Sequence, residues 1–371
     1  MPKKIYNNFL GGLSPFSDII GTENSFAQGT DIDHHRSPGF LMPGFAASDK
    51  SDTTGTLDGA IRNIVIDPDS SSYYAYAIDD TKLYQLITSA TVFSSDANYP
   101  HAVSSGQDLF FYPCKISSVS ANRLFYVSLT NMGMVNDVDA GTPTFDDDWM
   151  STIPSGAGSF SGSTDSHPSI EWNTYRWIAN GQYLAKLDGQ TGAGGTINLT
   201  SFNLGSGWQI TALFATRSYI GICANRVMSG NATDYNTDCG VFMWDGVSET
   251  YDYFIPVEDN RIGAVLNNNG IIYLITSGRN DADVLRVLTD NGAEKVKDLK
   301  FTIDGTTRNF GIYDYKCIDV FNNRLLIIAT CSSYGTAVFA YGTTDPNLPA
   351  GISQPFSSSD SITAASNQTP I

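Results

Sequence analysis

The sequence predicts an all-β fold: a β-propeller of six or seven blades with an extended N-terminal arm, with β-sandwich domains as the alternative. Short runs of Tyr, Phe, Val, Ile and Thr are separated by Gly, Asn, Asp and Ser, which is typical of strands joined by turns. No stretch has the capped apolar stripe of an amphipathic helix. A pattern of three apolar strands and their turns recurs, starting near residues 61, 101, 168, 210, 261 and 315. Such spacing favours four-stranded blades around an axis, although sandwiches also contain short strands.

Residues 1–57 are predicted to form an extended arm that lies against another surface. They contain little strand repetition and many Gly and Pro residues, yet they carry scattered large apolar side chains. A fully buried Phe contributes about 1.5–3 kcal/mol, whereas ordering each residue costs about 1–2 kcal/mol, so an arm needs several anchors. We predict that the anchors contact neighbouring subunits; they are Phe9, Leu10, Phe16, Phe26, Phe40, Leu41 and Phe45.

Residues 58–349 are the predicted propeller. Its most compact repeat, residues 168–189, contains Asn180-Gly181 between two alternating runs, which is the strongest short signal of a β-hairpin. A faintly helical stretch later in the chain is broken by Asn291-Gly292, which favours another hairpin. Residues 350–371 are rich in Ser, Thr and Ala. They are predicted to be either a flexible tail or a last strand that closes the ring.

Five cysteines are widely spaced, and none forms the Cys-x-x-Cys pattern of zinc or redox sites. Cys223 with Cys239, and Cys317 with Cys331, could face each other across hairpins. We expect all five, including Cys114, to be small buried apolar residues in a protein made in a reducing cytosol.

The charge balance disfavours several classes of partner. The 371 residues include 21 Lys and Arg against 38 Asp and Glu, for a formal net charge of −17. An acidic surface repels phosphate and no basic block interrupts it, so we expect no nucleic-acid partner. No apolar run reaches the roughly 18 residues that cross a bilayer, and no secretory signal peptide is apparent, so we expect no membrane insertion.

The segment Asp31–His35 is the one dense cluster of metal-ligating residue types. Adjacent His side chains diverge on an extended chain, so a turn or a contact surface of the arm is the favoured interpretation. Asp67 with Asp69, and Asp281 with Asp283, have the spacing of calcium loops, but Asp also favours turns through its own backbone hydrogen bonds. We expect no metal and no cofactor.

The sequence has no clear set of catalytic residues. It lacks the Gly-x-Ser-x-Gly motif of a serine hydrolase, and His167 fits the start of a blade. Asp146–Asp148, Glu171 and Asp252 are candidates for the paired carboxylates of a glycosidase. In a chain with 38 acidic residues, neighbouring carboxylates are expected by chance. We therefore expect no catalytic residue and no enzyme.

The first 45 residues contain a recognisable order of motifs: Ile5–Gly12, which ends in Gly-Gly, then Asn24–Phe26, Asp31–Asp33 and Pro38–Leu41. This order resembles the start of bacteriophage tail proteins. In those virion proteins, a segment ending in Gly-Gly precedes an extended arm, a Pro-Gly turn and a β-propeller. The rest of the chain is similar to them only in the style of its repeats.

The resemblance implies a structural virion protein of a phage tail, in a tail, nozzle or tail-tip assembly, that binds its neighbours through the arm. The implied partners are other virion proteins in a homo-oligomeric ring, and the implied location is the virion, assembled in the host cytoplasm. One alternative is a glycan- or receptor-binding propeller with a host glycan as partner. The second alternative is a propeller glycoside hydrolase or lyase, because the fold alone does not determine the function.

Overall fold

The chain is all-β throughout the part that the structure describes. The computed structural model describes residues 61–68, 74–87, 99–116, 119–136, 143–150, 166–187, 202–227, 235–277, 282–303, 306–312, 315–321, 324–333 and 335–342, with short strands at 12–13, 25–26, 32–33, 42–43 and 352–356. These residues form strands and turns and no helix. Six four-stranded antiparallel sheets are the blades of a six-bladed β-propeller. The predicted all-β propeller is therefore confirmed, and the sandwich alternative is wrong.

The chain divides into two compact units. The larger unit contains residues 49–298 and 314–316, and the smaller one contains residues 1–48, 299–313 and 317–371. Near the N-terminus, β1 (Gly12–Leu13) pairs in parallel with β2 (Ser25–Phe26), and β3 (Ile32–Asp33) pairs antiparallel with β4 (Met42–Pro43).

The larger unit holds blades 1 to 5, and in each of them four consecutive strands pair with their neighbours in chain order. Blade 1 is β5 (Asn63–Ile66), β6 (Tyr74–Ile78), β7 (Lys82–Ile87) and β8 (His101–Ala102); blade 2 is β9 (Gly106–Ile116), β10 (Val119–Ser128), β11 (Met132–Asn136) and β12 (Thr144–Met150); blade 3 is β13 (Ser169–Trp172), β14 (Tyr175–Asn180), β15 (Tyr183–Leu187) and β16 (Phe202–Asn203); blade 4 is β17 (Trp208–Ala215), β18 (Ile220–Val227), β19 (Tyr235–Trp244) and β20 (Tyr253–Val257); blade 5 is β21 (Arg261–Asn268), β22 (Ile271–Ser277), β23 (Val284–Thr289) and β24 (Gly292–Asp298).

The smaller unit contains a hairpin and blade 6. Its strands are β25 (Lys300–Ile303) paired with β26 (Thr306–Asn309), followed by blade 6, which is β27 (Ile318–Phe321), β28 (Arg324–Cys331), β29 (Gly335–Gly342) and β30 (Ile352–Phe356). The last strand pairs antiparallel with β29 as the fourth strand of this blade.

Local sequence signals position several turns and miss one strand. In the hairpin predicted at Asn180-Gly181, the residues Gly181 and Gln182 form the loop between β14 and β15, and Gly181 is in the left-handed region that the turn requires (φ 60°). The hairpin predicted at Asn291-Gly292 forms between β23 and β24, but its two-residue loop is Asp290-Asn291, because Gly292 pairs with Thr289 as the first residue of β24. The repeat that was expected to start near residue 101 starts instead at Gly106, because His101 pairs with Leu83 as part of the fourth strand of blade 1.

Apolar side chains from neighbouring blades of the larger unit form its core. Blades 1 and 2 share a cluster that includes Tyr76 and Leu124, and blades 3 and 4 share one that includes Trp177 and Trp244. The rings of these two tryptophans meet edge to face, with centroids 5.2 Å apart. The packing is close: a Cβ at Gly221 would lie 2.0 Å from the ring of Phe214, its cross-strand partner. This core fixes each blade against the next and thereby positions the polar groups at the strand ends.

Candidate functional site

A buried carboxylate, Asp108 on β9, accepts hydrogen bonds from several parts of the larger unit. Asn63 Nδ2 on β5 and Lys316 Nζ both donate to its Oδ1, the first at 2.8 Å. Ser169 Oγ on β13 and Tyr315 OH donate to its Oδ2 at 3.0 and 3.1 Å. The side chain is 1% exposed, so hydrogen-bond donors of the protein replace water around the carboxylate. Asp108 therefore connects the first strands of blades 1, 2 and 3 with the segment 315–316.

Arg176 on β14 completes this group. Its Nη2 donates to Ser169 Oγ at 2.7 Å, and its guanidinium lies 4.1 Å from the ring centroid of Phe110. Burial by itself would raise the pKa of Asp108, but the charges of Lys316 and Arg176 outweigh it and hold the pKa below its usual value. The Asp108 carboxylate is therefore ionised and fully engaged. We call Asn63, Asp108, Ser169, Arg176, Tyr315 and Lys316 the Asp108 cluster.

A second polar group joins the outer strands of blades 1 and 2. His101 Nε2 and Asp147 Oδ1 are 2.7 Å apart, and Tyr126 OH donates to the same oxygen at 2.5 Å. The His101 ring stacks on Phe145 with centroids 3.8 Å apart and planes 6° apart. Burial alone would raise the pKa of Asp147, but the hydrogen bonds from His101 and Tyr126 lower it below its usual value. Burial and this neighbouring carboxylate raise the pKa of Tyr126.

A third group lies in and beside blade 5. Arg286 Nε on β23 pairs with Asp259 Oδ2 at 2.7 Å, and Thr276 Oγ1 on β22 donates to the same oxygen. Across blades 4 and 5, the backbone N of Ile262 donates to Asn225 Oδ1 at 2.8 Å, and Asn225 Nδ2 donates to Ile262 O at 3.3 Å. Here too, polar side chains hold one strand to another.

The carboxylates considered for glycosidase chemistry lie in different settings. Asp147 is engaged as described above, and the side chain of Asp148 lies outside the described residues. Glu171 is exposed on β13, in register with Arg176 on β14. Asp252 is exposed, and its Oδ2 accepts from the backbone N of Asp245 at 3.1 Å. A glycosidase acid needs a raised pKa, and the pKa of Asp147 is shifted the opposite way.

His167, which precedes β13, bridges two blades. Its side chain is buried, with Nδ1 3.0 Å from Ala179 O and Nε2 2.9 Å from Leu129 O. Carbonyl oxygens only accept hydrogen bonds, so the ring nitrogen that carries the N–H donates it to the carbonyl that it faces. His167 thus contributes to packing between blades 2 and 3, at the start of blade 3.

Cys223, Cys239 and Cys331 are buried free thiols, and Cys317 is buried as well. Cys223 pairs in register with Val241, and Cys239 pairs with Asn225. The two cysteines therefore lie on adjacent strands, two residues out of register with each other. Burial raises the pKa of both thiols, that of Cys239 to about 12. Both thiols therefore act as small apolar groups of the core. The side chain of Cys114 lies outside the described residues.

Blade 4 has a group of aromatic rings at its surface. Phe242 is buried, and its ring centroid lies 4.9 Å from Trp208, 4.8 Å from Tyr251 and 4.7 Å from Phe254. Tyr251 and Phe254 are 41% and 37% exposed, and Trp208 is half-buried. We call these four residues the blade-4 aromatic surface. A neighbour of Phe254, Tyr253, is 43% exposed but contacts a different ring, Tyr219, at 5.6 Å.

The predicted subunit-interface residues are outside the part of the chain that the structure describes. This applies to Phe9, Leu10, Phe16, Phe40, Leu41 and Phe45, and to the side chain of Phe26, whose backbone belongs to β2. The side chains of Asp31–His35 are likewise not described. Of the calcium-like pairs, Asp67 is buried and its backbone N donates to Tyr74 O at 3.0 Å, whereas Asp69 and Asp281 are not described. No group of three or more metal-ligating side chains occurs among the described residues.

Sequence reasoning missed the Asp108 cluster and the blade-4 aromatic surface. A faint signal for the first was present, because an Asp directly before the apolar run Leu109–Tyr112 is unusual in a buried strand. Its partner Lys316 is 208 residues away along the chain, and no spacing rule links them. For the second, the aromatic composition was evident, but the strand faces were needed to show which rings are exposed.

Comparisons with known proteins describe only similarity of fold. No family model matches the chain, and no curated protein matches it. Raptor from Chaetomium thermophilum is 11% identical with a TM-score of 0.44, over 77% of this chain and 24% of that one, so this chain spans about a quarter of its length. A chain from the S. cerevisiae structure of Dbp5 bound to Nup159, Gle1, IP6 and ADP is 10% identical with a TM-score of 0.41. The similarity covers 80% of this chain and 84% of that one. A chain from the structure of BBS1N in complex with ARL6DN is 10% identical with a TM-score of 0.45, and the similarity covers 76% of this chain and 80% of that one. Among the described residues, no helix is long and apolar enough to cross a membrane.

Proposed function

We propose that this chain is a structural virion protein of a bacteriophage tail, in which the propeller is a rigid scaffold and residues 1–57 bind neighbouring subunits. Its partners are other virion proteins and further copies of itself in a ring, and it is not an enzyme. The order of motifs in residues 1–45 supports the proposal by its resemblance to phage tail proteins.

The Asp108 cluster is the observation that carries the scaffold role. A general acid or base needs a pKa near the working pH and access to a substrate proton. Asp108 is 1% exposed, its pKa is lowered, and four side chains donate to it. Such a carboxylate stabilises the arrangement of blades 1 to 3. A scaffold in a large assembly benefits from this, because rigid subunits lose little conformational entropy when they associate.

Mass spectrometry of purified particles tests the proposal most directly. We expect this chain in a constant ratio to the other virion proteins from one preparation to the next. Its absence from particles that are otherwise complete would overturn the structural role.

The arm is tested in the full chain by the double variant Phe40→Asp, Phe45→Asp, encoded in the viral genome. We expect the variant to fold, with an unchanged circular dichroism spectrum, and to be lost from particles, because the charged side chains cannot enter an apolar contact. Ile271→Asp is the matched control, since Ile271 is an exposed apolar residue of blade 5. Normal incorporation of the double variant would contradict the role of the arm.

The enzymatic alternative has its own assay. We expect no release of reducing sugars when the purified protein is incubated with host envelope polysaccharide. Release that is abolished by Glu171→Gln or Asp147→Asn would contradict the proposal and favour a glycoside hydrolase or lyase.

A further inference from the structure

The blade-4 aromatic surface has the exposure and rigidity of a binding surface. Phe254 lies on β20, the last strand of its sheet, and Tyr251 lies two residues before that strand begins. Their exposed rings are held by Phe242, which is 3% exposed and anchored in the core between blades 3 and 4. Trp208 and Tyr251 meet Phe242 edge to face, at 83° and 75°. Rings fixed in this way lose little entropy when a ligand covers them.

A glycine next to Phe254 makes room for its ring. A Cβ at Gly240 would lie 2.3 Å from Phe254 Cε2, so only glycine allows this ring to lie against the backbone of β19. One side of the ring therefore rests on the sheet, and the exposed remainder is open to solvent. Flat ring surfaces of this kind stack on the C–H faces of sugar rings, whose hydroxyl groups point outwards at the edge.

A balanced pair of charges lies beside the rings. Arg226 on β18 is the cross-strand partner of Trp208, and Arg226 Nη1 lies 3.3 Å from Asp238 Oδ2 on β19. The two side chains are 55% and 57% exposed, so the pair is accessible. It offers hydrogen-bond donors and acceptors with no net charge, which suits hydroxyl groups because each both donates and accepts.

The remaining charge near the rings disfavours acidic ligands. The loop that leads from β19 to Tyr251 carries the half-buried Asp245 and the exposed Glu249, followed by the exposed Asp252, and the chain has a formal net charge of −17. A sialylated or uronic-acid polymer would be repelled by this loop, whereas an uncharged sugar would not.

We propose that the blade-4 aromatic surface binds a neutral oligosaccharide, with sugar rings on Tyr251, Phe254 and Trp208, and hydroxyl groups at Arg226 and Asp238. This site adds glycan recognition to the structural role and does not depend on it. A binding site on an outer strand leaves the fold of the blade unchanged.

The test uses the full-length protein and saturation-transfer NMR with neutral hexasaccharides of glucose, mannose, galactose and N-acetylglucosamine, and with polygalacturonate as the acidic counterpart. We expect at least one neutral hexasaccharide to bind saturably, with Kd below about 10 mM, and polygalacturonate not to bind.

Phe254→Leu and Tyr251→Leu should each weaken binding about tenfold, because leucine keeps the apolar packing but removes the flat ring. Tyr253→Leu is the matched control. Tyr253 is the neighbour of Phe254 on β20 and is similarly exposed, but it lies on the opposite face of the strand and contacts Tyr219, so the Kd of this variant should be unchanged.

Three outcomes would overturn the proposal. The first is no saturable binding of any neutral hexasaccharide. The second is an equal loss of binding in the Tyr253→Leu control and in the other two variants. The third is concentration-dependent dimerisation, measured by sedimentation velocity, that Phe254→Leu and Tyr251→Leu retain and Phe254→Asp abolishes, because the surface would then be an apolar contact with a second copy.

Discussion

The Asp108 cluster and the blade-4 aromatic surface use their side chains in opposite ways. In the first, charged groups are buried and joined between strands, and Asp108 is 1% exposed. In the second, two aromatic rings are more than a third exposed and the nearby ion pair of Arg226 and Asp238 is open to water. In the first region, removal of one partner is costly because it leaves the other charge buried and uncompensated. Side chains of the second region can be substituted without unfolding the protein, so a ligand-binding site is more readily located there.

The largest expected effect on the free energy of unfolding comes from a substitution in the Asp108 cluster. Asp108→Asn removes the negative charge that Lys316 and Arg176 face, and it leaves two cations near a neutral amide. We expect a loss of about 3–5 kcal/mol in the free energy of unfolding, measured by urea denaturation, since breaking a buried pair strands its partner charge. Lys295→Gln breaks the exposed pair with Asp298 and is the control, with an expected loss below about 1 kcal/mol. A similar loss in both variants would show that Asp108 is not a structural centre.

An intermediate effect is expected where the core of blade 4 is most closely packed. Gly221→Ala places a methyl group 2.0 Å from the ring of Phe214, which is 2% exposed and cannot swing into solvent. We expect a loss of about 1–3 kcal/mol in the free energy of unfolding from this overpacking. Phe214→Leu in the same chain removes the ring and should recover part of the loss, which a double-mutant cycle measures. Strictly additive losses would contradict direct contact as the cause.

Substitutions of the exposed rings of blade 4 are expected to change the free energy of unfolding very little. Phe254→Leu and Tyr251→Leu change side chains that are already partly hydrated, so their free energies of unfolding should stay within about 1 kcal/mol of the unmodified protein. This range makes both variants suitable for the binding test, because a loss of binding is then not a loss of fold.

Local sequence signals were sufficient for the fold class and several hairpins. Asn180-Gly181 and Asn291-Gly292 each predict a turn because only a few residues tolerate the backbone that a two-residue loop needs. The two-residue strand His101–Ala102 was missed as the fourth strand of blade 1, because a strand this short has no alternation to detect. Its pairing with β7 is set by tertiary structure rather than by local preference.

The candidate sites were much less predictable than the fold. Asp147 was considered because it lies in an acidic run, but its contacts with His101 and Tyr126 join strands 46 and 21 residues away along the chain. The same holds for Trp208, Phe242 and Phe254, which form one surface only after the four strands of blade 4 are placed side by side. Periodicity indicates which face of a strand is apolar, but it does not indicate which blade, if any, covers that face.

The smallest expected effect on the free energy of unfolding is at Asp147, which belongs to neither of the two regions compared above. Its side chain is 62% exposed, but His101 and Tyr126 hold its pKa below the usual value, so the ionised form is favoured in the folded state. A pKa that is lower in the folded state stabilises the protein above the unfolded pKa of about 3.9, and this contribution is lost as the pH falls through the folded pKa. Asp147→Asn should therefore cost less than about 1 kcal/mol near neutral pH, and the difference from the unmodified protein should shrink as the pH falls below about 3.9. Urea denaturation at several pH values measures this, with Asp319→Asn, an exposed carboxylate of blade 6, as the control. A difference that grows as the pH falls would mean that the carboxylate is not held ionised by these two partners.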